Sequence, residues 1–165
     1  MIWISRFSFM FAVLVVLAPI AHVLELPNKL RLDAELWLAV QQHLYRGWGP
    51  SLGGPTEIGA LLTSIWLVYF RWRSGLVLAA TVVATAGYVG MLVVFFLLNQ
   101  PVNVAVASWT PASLPSDWTS YRAQWEAGHA VAAMLSVVSL TALAWAYVRE
   151  RQTAPRSGRA TLSQA

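Results

Sequence analysis

Four apolar runs limit what this chain can fold into. They cover about residues 7–26, 58–70, 76–98 and 130–148, and each reaches or approaches the ~17–25 residues that cross a bilayer as a helix. The second is short and draws on its flanks, from Thr56 to Trp72. Of the 165 residues, 58% are hydrophobic and only 11% charged, against about 25% charged in a soluble domain. The missing charge points to lipid as the solvent. The expected fold is therefore all-α, a four-helix transmembrane bundle over residues 1–150. Its spans fall at about 7–26, 56–72, 75–98 and 127–148, and residues 151–165 form a disordered cytoplasmic tail.

The basic residues report orientation rather than a nucleic-acid partner, because no basic face interleaved with aromatics accompanies the net charge of +4. Seven arginines (Arg6, Arg71, Arg73, Arg149, Arg151, Arg156, Arg159) fall at one set of helix ends. Four cations (Lys29, Arg31, Arg46, Arg122) fall at the other, diluted by Asp33, Glu35, Asp117 and Glu126. The positive-inside rule then puts both termini in the cytoplasm. The expected location is the inner membrane of a bacterium. Pro19-Ile20-Ala21 is a poor cleavage site, so the first helix is expected to be retained. The absence of cysteine excludes disulfides, thiolate metal sites, iron–sulfur clusters and Cys-pair redox chemistry.

Local signals place the loops. Pro19 is expected to kink helix 1 and Pro27 to end it. Asp33 suits an N-cap for an interfacial helix over about 33–46 that Gly47 could cap at its C-terminus, with an apolar stripe of Leu36, Val40 and Gly47, Trp37 and Leu44 beside it and His43 within it. Pro55 and Glu57 suit a first helical turn. Asn99-Gln100-Pro101-Val102-Asn103 is expected to close the third span. Small residues between Ala79 and Gly90 allow close helix contact.

The densest polar and aromatic passage runs from Asp117 to His129. At 3.6 residues per turn, Trp118, Arg122, Trp125 and His129 share one stripe, with Glu126 beside it. The topology sends His22, His43 and His129 to the outer side, together with Glu25, Glu57, Asn99, Asn103, Arg122 and Glu126. Intramembrane ionisable groups are costly unless paired or used, so this convergence marks the candidate site. His129, Glu126, Arg122, Asn99 and Asn103 are the candidate catalytic residues. Trp118, Trp125 and His43 are candidate cofactor- or substrate-binding residues.

His22-x-x-Glu25 and Glu126-x-x-His129 are both i, i+3 pairs of ligand types, and with Glu57 they make a candidate metal set: His22, Glu25, Glu57, Glu126, His129. That set partly matches the carboxylate–histidine bundles that hold two metals. Iron, copper, manganese or zinc would suit it, a haem on two histidines is a further option, and O₂ chemistry without a cofactor is another.

Ordinary readings stand beside these. Glu57 suits a helix dipole, Arg122 and Glu126 suit an i, i+4 pair, His43 suits an interface, the tryptophans suit an interfacial belt, and Asn99 and Asn103 suit a broken helix end.

Asn99-x-Pro101-x-Asn103 followed by Asp117-Trp118…Arg122-x-x-Trp125-Glu126-x-x-His129 resembles the anthrone oxygenase-like family of small four-helix membrane proteins. The resemblance covers about residues 5–148. It implies oxidation of anthrones to anthraquinones with O₂, while His22-x-x-Glu25-Leu26-Pro27 and the His43 helix depart from a generic member. The function expected is an oxidoreductase or oxygenase acting on a lipophilic, aromatic substrate at an outward-facing site, with or without a metal. The alternative is a non-catalytic small membrane subunit whose polar cluster binds a metal, a lipid headgroup or a partner. Expected partners are the bilayer and a lipophilic small molecule, with a homo-oligomer or a membrane subunit also open. Polar residues confined to one side argue against a transporter.

Overall fold

A computed structural model describes residues 2–153. Helix α1 (Ile2–Lys29) leads into a short α2 (Ala34–Ala39), which continues as a π-helical turn, Val40–Leu44. A second π turn, Gly49–Gly53, runs into α3 (Gly54–Phe70). After the turn at 71–75 come α4 (Leu76–Val94), a third π turn (Phe95–Asn99) and α5 (Gln100–Ser108). A 3₁₀ turn, Pro111–Ser113, precedes α6 (Trp118–Thr153). No strand occurs among the described residues. Three stretches are long and apolar enough to cross a membrane: Trp3–Lys29, Leu76–Ser108 and Trp118–Thr153. Helix α3 has 17 residues, the lower limit of that range.

Helix α6 packs along α1 and α4, and α3 packs on the same two. The contact surfaces are built from small residues, since between helices in lipid van der Waals approach replaces the hydrophobic drive. Ala12, Ala60, Ser64, Ala84, Ser136, Ser139 and Ala146 are all fully enclosed. Ser139 Oγ reaches across to the Ala84 carbonyl at 3.1 Å, and its hydroxyl lies where a Cβ on Gly87 would collide. Tyr88, Met91, Leu67 and Leu143 fill the remaining core. Large apolar side chains such as Leu62, Trp66, Tyr69 and Val138 point outward, the reverse of a soluble protein and the pattern a lipid solvent requires.

The two ends differ. At the turn end, Gly75 takes φ +51, a sign glycine adopts without penalty. Beside it, Arg71 is only 1% exposed. Its Nε and Nη2 donate to the two carboxylate oxygens of Glu150 at 2.7 and 2.6 Å, and Nη1 donates to Thr81 Oγ1 at 2.9 Å. Arg71 was expected as one of the orientation charges at a helix end. Instead it is a buried bidentate tie joining α3 to α4 and α6.

Several expected boundaries move. Pro27 does not end α1, which carries on to Lys29. One lost N–H is tolerated there because Lys29 is anchored from outside the helix, as described below. Asn99–Asn103 does not close the third span either. Pro101 cannot donate to the carbonyl four residues back, and the preceding π turn absorbs the mismatch so that helix continues to Ser108. The Leu98 carbonyl in this π turn accepts from Gln124 Nε2 at 3.0 Å.

Asp33 does cap α2, accepting from the Leu36 N–H at 2.9 Å. The buried face of α2, however, is Trp37 and Leu38, while Leu36 and Leu44 are exposed. Helix α6 reaches Thr153, so residues 151–153 are helical. The rest of the expected disordered tail, 154–165, lies outside the described residues.

Candidate functional site

The opposite end, where α1 finishes and α3 and α6 begin, carries the convergence expected from the sequence. His22 on α1 and His129 on α6 bring their rings to 4.1 Å between centroids, tilted by 37°. Trp125, one turn before His129, meets both imidazoles edge-on at 4.8 and 4.2 Å. From the loop between α2 and α3, Tyr45 sets its ring edge-on to His22 at 4.6 Å and stacks near Trp125 at 5.6 Å. Trp48 adds a further wall, 6.0 Å from His22. The result is a histidine pair enclosed by three aromatic rings.

Hydrogen bonds fix these rings. The Tyr45 hydroxyl donates to Glu25 Oε2 at 2.5 Å, and the same oxygen lies 3.7 Å from His22 Nδ1. Burial, followed by the carboxylate of Glu25, raises the Tyr45 hydroxyl above its ordinary value. His22 Nδ1 is buried and has no hydrogen-bond partner. The Trp125 indole N–H donates to Asn103 Oδ1 at 2.9 Å, and Asn99 Nδ2 donates to the Trp125 carbonyl at 2.9 Å. Asn99 is buried against Gly128, where any Cβ would strike its amide. The π turn thus presents Asn99 to α6, a common use of such turns at sites.

Below the ring cluster sits an ion pair. Lys29 Nζ donates to Glu126 Oε2 at 2.8 Å, with the two residues 3% and 7% exposed. The ammonium also lies over the Trp125 ring at 5.0 Å and near the Tyr45 ring at 5.7 Å. Glu126 was expected to pair with Arg122 four residues before it. Arg122 turns instead to the carbonyls of Lys29 and Leu32, both at 3.3 Å, and stacks over Trp118. It holds the end of α1 in place rather than neutralising Glu126.

Of the expected site residues, His22, Glu25, Asn99, Asn103, Trp125, Glu126 and His129 meet in one cluster, and Arg122 borders it. Trp118 does not reach the histidine pair. Eleven residues of helix rise about 16 Å, which carries Trp118 to Trp37 at 5.6 Å, in an apolar cluster that shares Trp125 and Tyr45 with the site. His43 is exposed on the π turn and is not part of the enclosure. Glu57 is half-buried with Oε1 unpartnered, and no hydrogen bond or ion pair links it to either histidine.

The five residues expected to ligate a metal do not come together as a ligand set. Among the described residues no group of three or more His, Asp or Glu side chains is placed to hold one ion. Lys29 already supplies the positive charge beside Glu126, and the Tyr45 hydroxyl takes up Glu25.

Lys29, Tyr45 and Trp48 were not singled out from the sequence. Lys29 carried a readable signal: it is seven residues after His22 and four after Glu25, on one face of any helix that survives Pro27. Compared with known proteins, the chain matches no family model, no curated protein and no solved structure.

Proposed function

We propose that this chain is a four-helix integral membrane protein in which α3 supplies the fourth span and the histidine enclosure faces outward. In this reading it acts as an oxidoreductase of the oxygenase type on a lipophilic aromatic carbon acid. One observation carries it: two imidazoles in ring contact inside an aromatic enclosure, with the carboxylate of Glu25 at hand on the open side. Four exposed arginines (Arg6, Arg73, Arg149, Arg151) at the turn end support a cytoplasmic placement of both termini. Helix α2 then lies in the outer interface.

Tyr45 and Trp48 part from His22 to admit a flat substrate, which takes their place against the rings. His129 removes a proton from a CH₂ carbon flanked by two aryl rings and conjugated through them to a ketone, and the electron pair delocalises through the rings onto the carbonyl oxygen. Lys29, over the aromatic wall, favours that developing negative charge. The proton passes through His22 to Glu25 and out. The carbanion gives its electrons to O₂ as a carbon–oxygen bond forms; loss of water from the resulting hydroperoxide leaves a new carbonyl. One oxygen atom ends in the quinone and the other in water.

The test is oxygen uptake by the purified protein with anthrone, with anthraquinone followed by its absorbance. His129→Ala and His22→Ala are each expected to slow turnover by about 10²–10⁴-fold while thermal melting shows a folded protein. A parent protein without turnover, or a folded His129→Ala variant at the parent rate, refutes the reading.

A non-catalytic membrane subunit is a second reading. It is favoured by the extent to which Lys29, Glu126, Asn99, Asn103 and Arg122 are spent on ties between segments. A stoichiometric membrane partner recovered after cross-linking in native membranes, together with inactivity on anthrone, would select it.

A further inference from the structure

The turn end carries four arginine–aromatic pairs. Arg6 stands over Trp3 at 5.1 Å, Arg73 over Trp72 at 4.2 Å, Arg149 over Trp145 at 5.6 Å and Arg151 over Tyr147 at 4.9 Å. All four arginines are exposed. The acids of the chain number seven, and only Glu150 falls at this end, where Arg71 holds both its carboxylate oxygens. Among the described residues the four exposed arginines therefore have no acidic counterpart at this end, which suits an anion from outside the chain.

One of these pairs sits at the mouth of an apolar groove. The groove, about 420 Å³, runs between α4 and α6 and is lined by Ala80, Val137, Val138, Thr141, Ala142 and Trp145. Val138, Ala142 and Trp145 follow one stripe of α6, and Arg149 is the next residue on it, one turn toward the helix end. A single face thus offers a slot for a chain and, above it, an amphipathic ring with a guanidinium laid over it. That is the order of an acyl chain, a glycerol level and a phosphate. A partner helix would fill the slot equally well but gives no account of the unpaired charge at its mouth.

We infer that the α4–α6 groove is a binding site for one anionic glycerophospholipid, its phosphate on Arg149 beside Trp145 and an acyl chain along Val138 and Ala142. Basic sites at helix ends select anionic lipids at about fivefold per charge. Detergent-solubilised full chain is titrated with dioleoyl phosphatidylglycerol and, separately, with dioleoyl phosphatidylcholine, and bound lipid is counted by native mass spectrometry. One phosphatidylglycerol is expected to bind at least about fivefold more tightly than phosphatidylcholine. Arg149→Gln is expected to remove that preference, and Ala142→Phe to weaken both lipids by filling the slot.

The Arg149 guanidinium is exposed and makes no hydrogen bond among the described residues, so the first variant tests the site even if the second unfolds. Equal binding of the two lipids overturns the inference. So does an Arg149→Gln variant that keeps the preference, or a parent dimer that Ala142→Phe turns into a monomer, which would assign the groove to a second copy.

Discussion

Removing the ammonium of Lys29 should unfold this protein more readily than any exposed substitution. The pair with Glu126 is 2.8 Å long and both residues are under a tenth exposed. At an effective dielectric of about 20, a separation of that size corresponds to ~6 kcal/mol of Coulomb attraction. Much of this offsets the cost of bringing two charges out of water, so the net value of the pair is small. Breaking it is a different matter. Lys29→Met leaves Glu126 buried with no counter-charge, a loss of about 3–5 kcal/mol. For a chain of this size that is roughly 6–20 °C in melting temperature.

The assay is thermal unfolding in detergent followed by circular dichroism, for Lys29→Met, Glu126→Leu and the double variant. Each single substitution should show the loss, and the double variant should return to within about 1 kcal/mol of the parent, because an apolar pair of similar volume replaces a buried ion pair at little cost. Arg122→Gln is the internal control and should shift the melt less than either, since Arg122 contacts carbonyls and not Glu126. Single variants that melt with the parent refute the reasoning. Additive losses in the double variant, with no coupling, would refute it equally.

Three more outcomes follow from the same geometry. Arg71→Leu should cost less than Lys29→Met, about 1–3 kcal/mol, because Glu150 is 21% exposed and rehydrates when its partner is removed, and Glu150→Leu in that background should recover part of it, read from the same melts. Gly87→Ala should cost about 1–3 kcal/mol, because its methyl meets the Ser139 hydroxyl; Ser139→Ala added to it should relieve part of the strain. Tyr45 keeps its proton in the folded state past the ordinary tyrosine value of 10.0, so the unfolded chain loses that proton first as pH rises. The Tyr45 contribution to stability is intact below about pH 10 and falls above it. Tyr45→Phe should make the melting temperature less sensitive to pH in that alkaline range.

Hydropathy alone placed the long helices, and the Asp33 cap was readable because its chemistry is local. The meeting of His22 with His129 was readable too, because topology sends both to one end and a helix period then aligns each with its neighbours. What could not be read was whatever depends on a partner in another segment. Pro27 is a stop signal by itself, and only Glu126 and Arg122, about a hundred residues away, explain why α1 continues to Lys29. Arg71 reads as a surface charge until Glu150 is set beside it. Trp118 and His129 share a stripe, but a stripe says nothing of height along the axis, and their separation keeps Trp118 from the histidine pair, with Trp125 lying between the two. His43 fell on a plausible face of a regular helix; the π turn at Val40–Leu44 shifts that face and leaves it exposed.

Both long-range ion pairs end on α6, the last of the described helices. Lys29 is 97 residues from Glu126 and Arg71 is 79 from Glu150. During synthesis two cations therefore wait for counter-charges that do not yet exist, and α1 and α3 cannot settle against each other with either charge enclosed. The two ends are closed in order as α6 arrives, the Glu126 clasp before the Glu150 clasp. A ribosome stalled before Glu126 leaves an assembly with neither clasp, and one stalled between Glu126 and Glu150 leaves it latched at a single end.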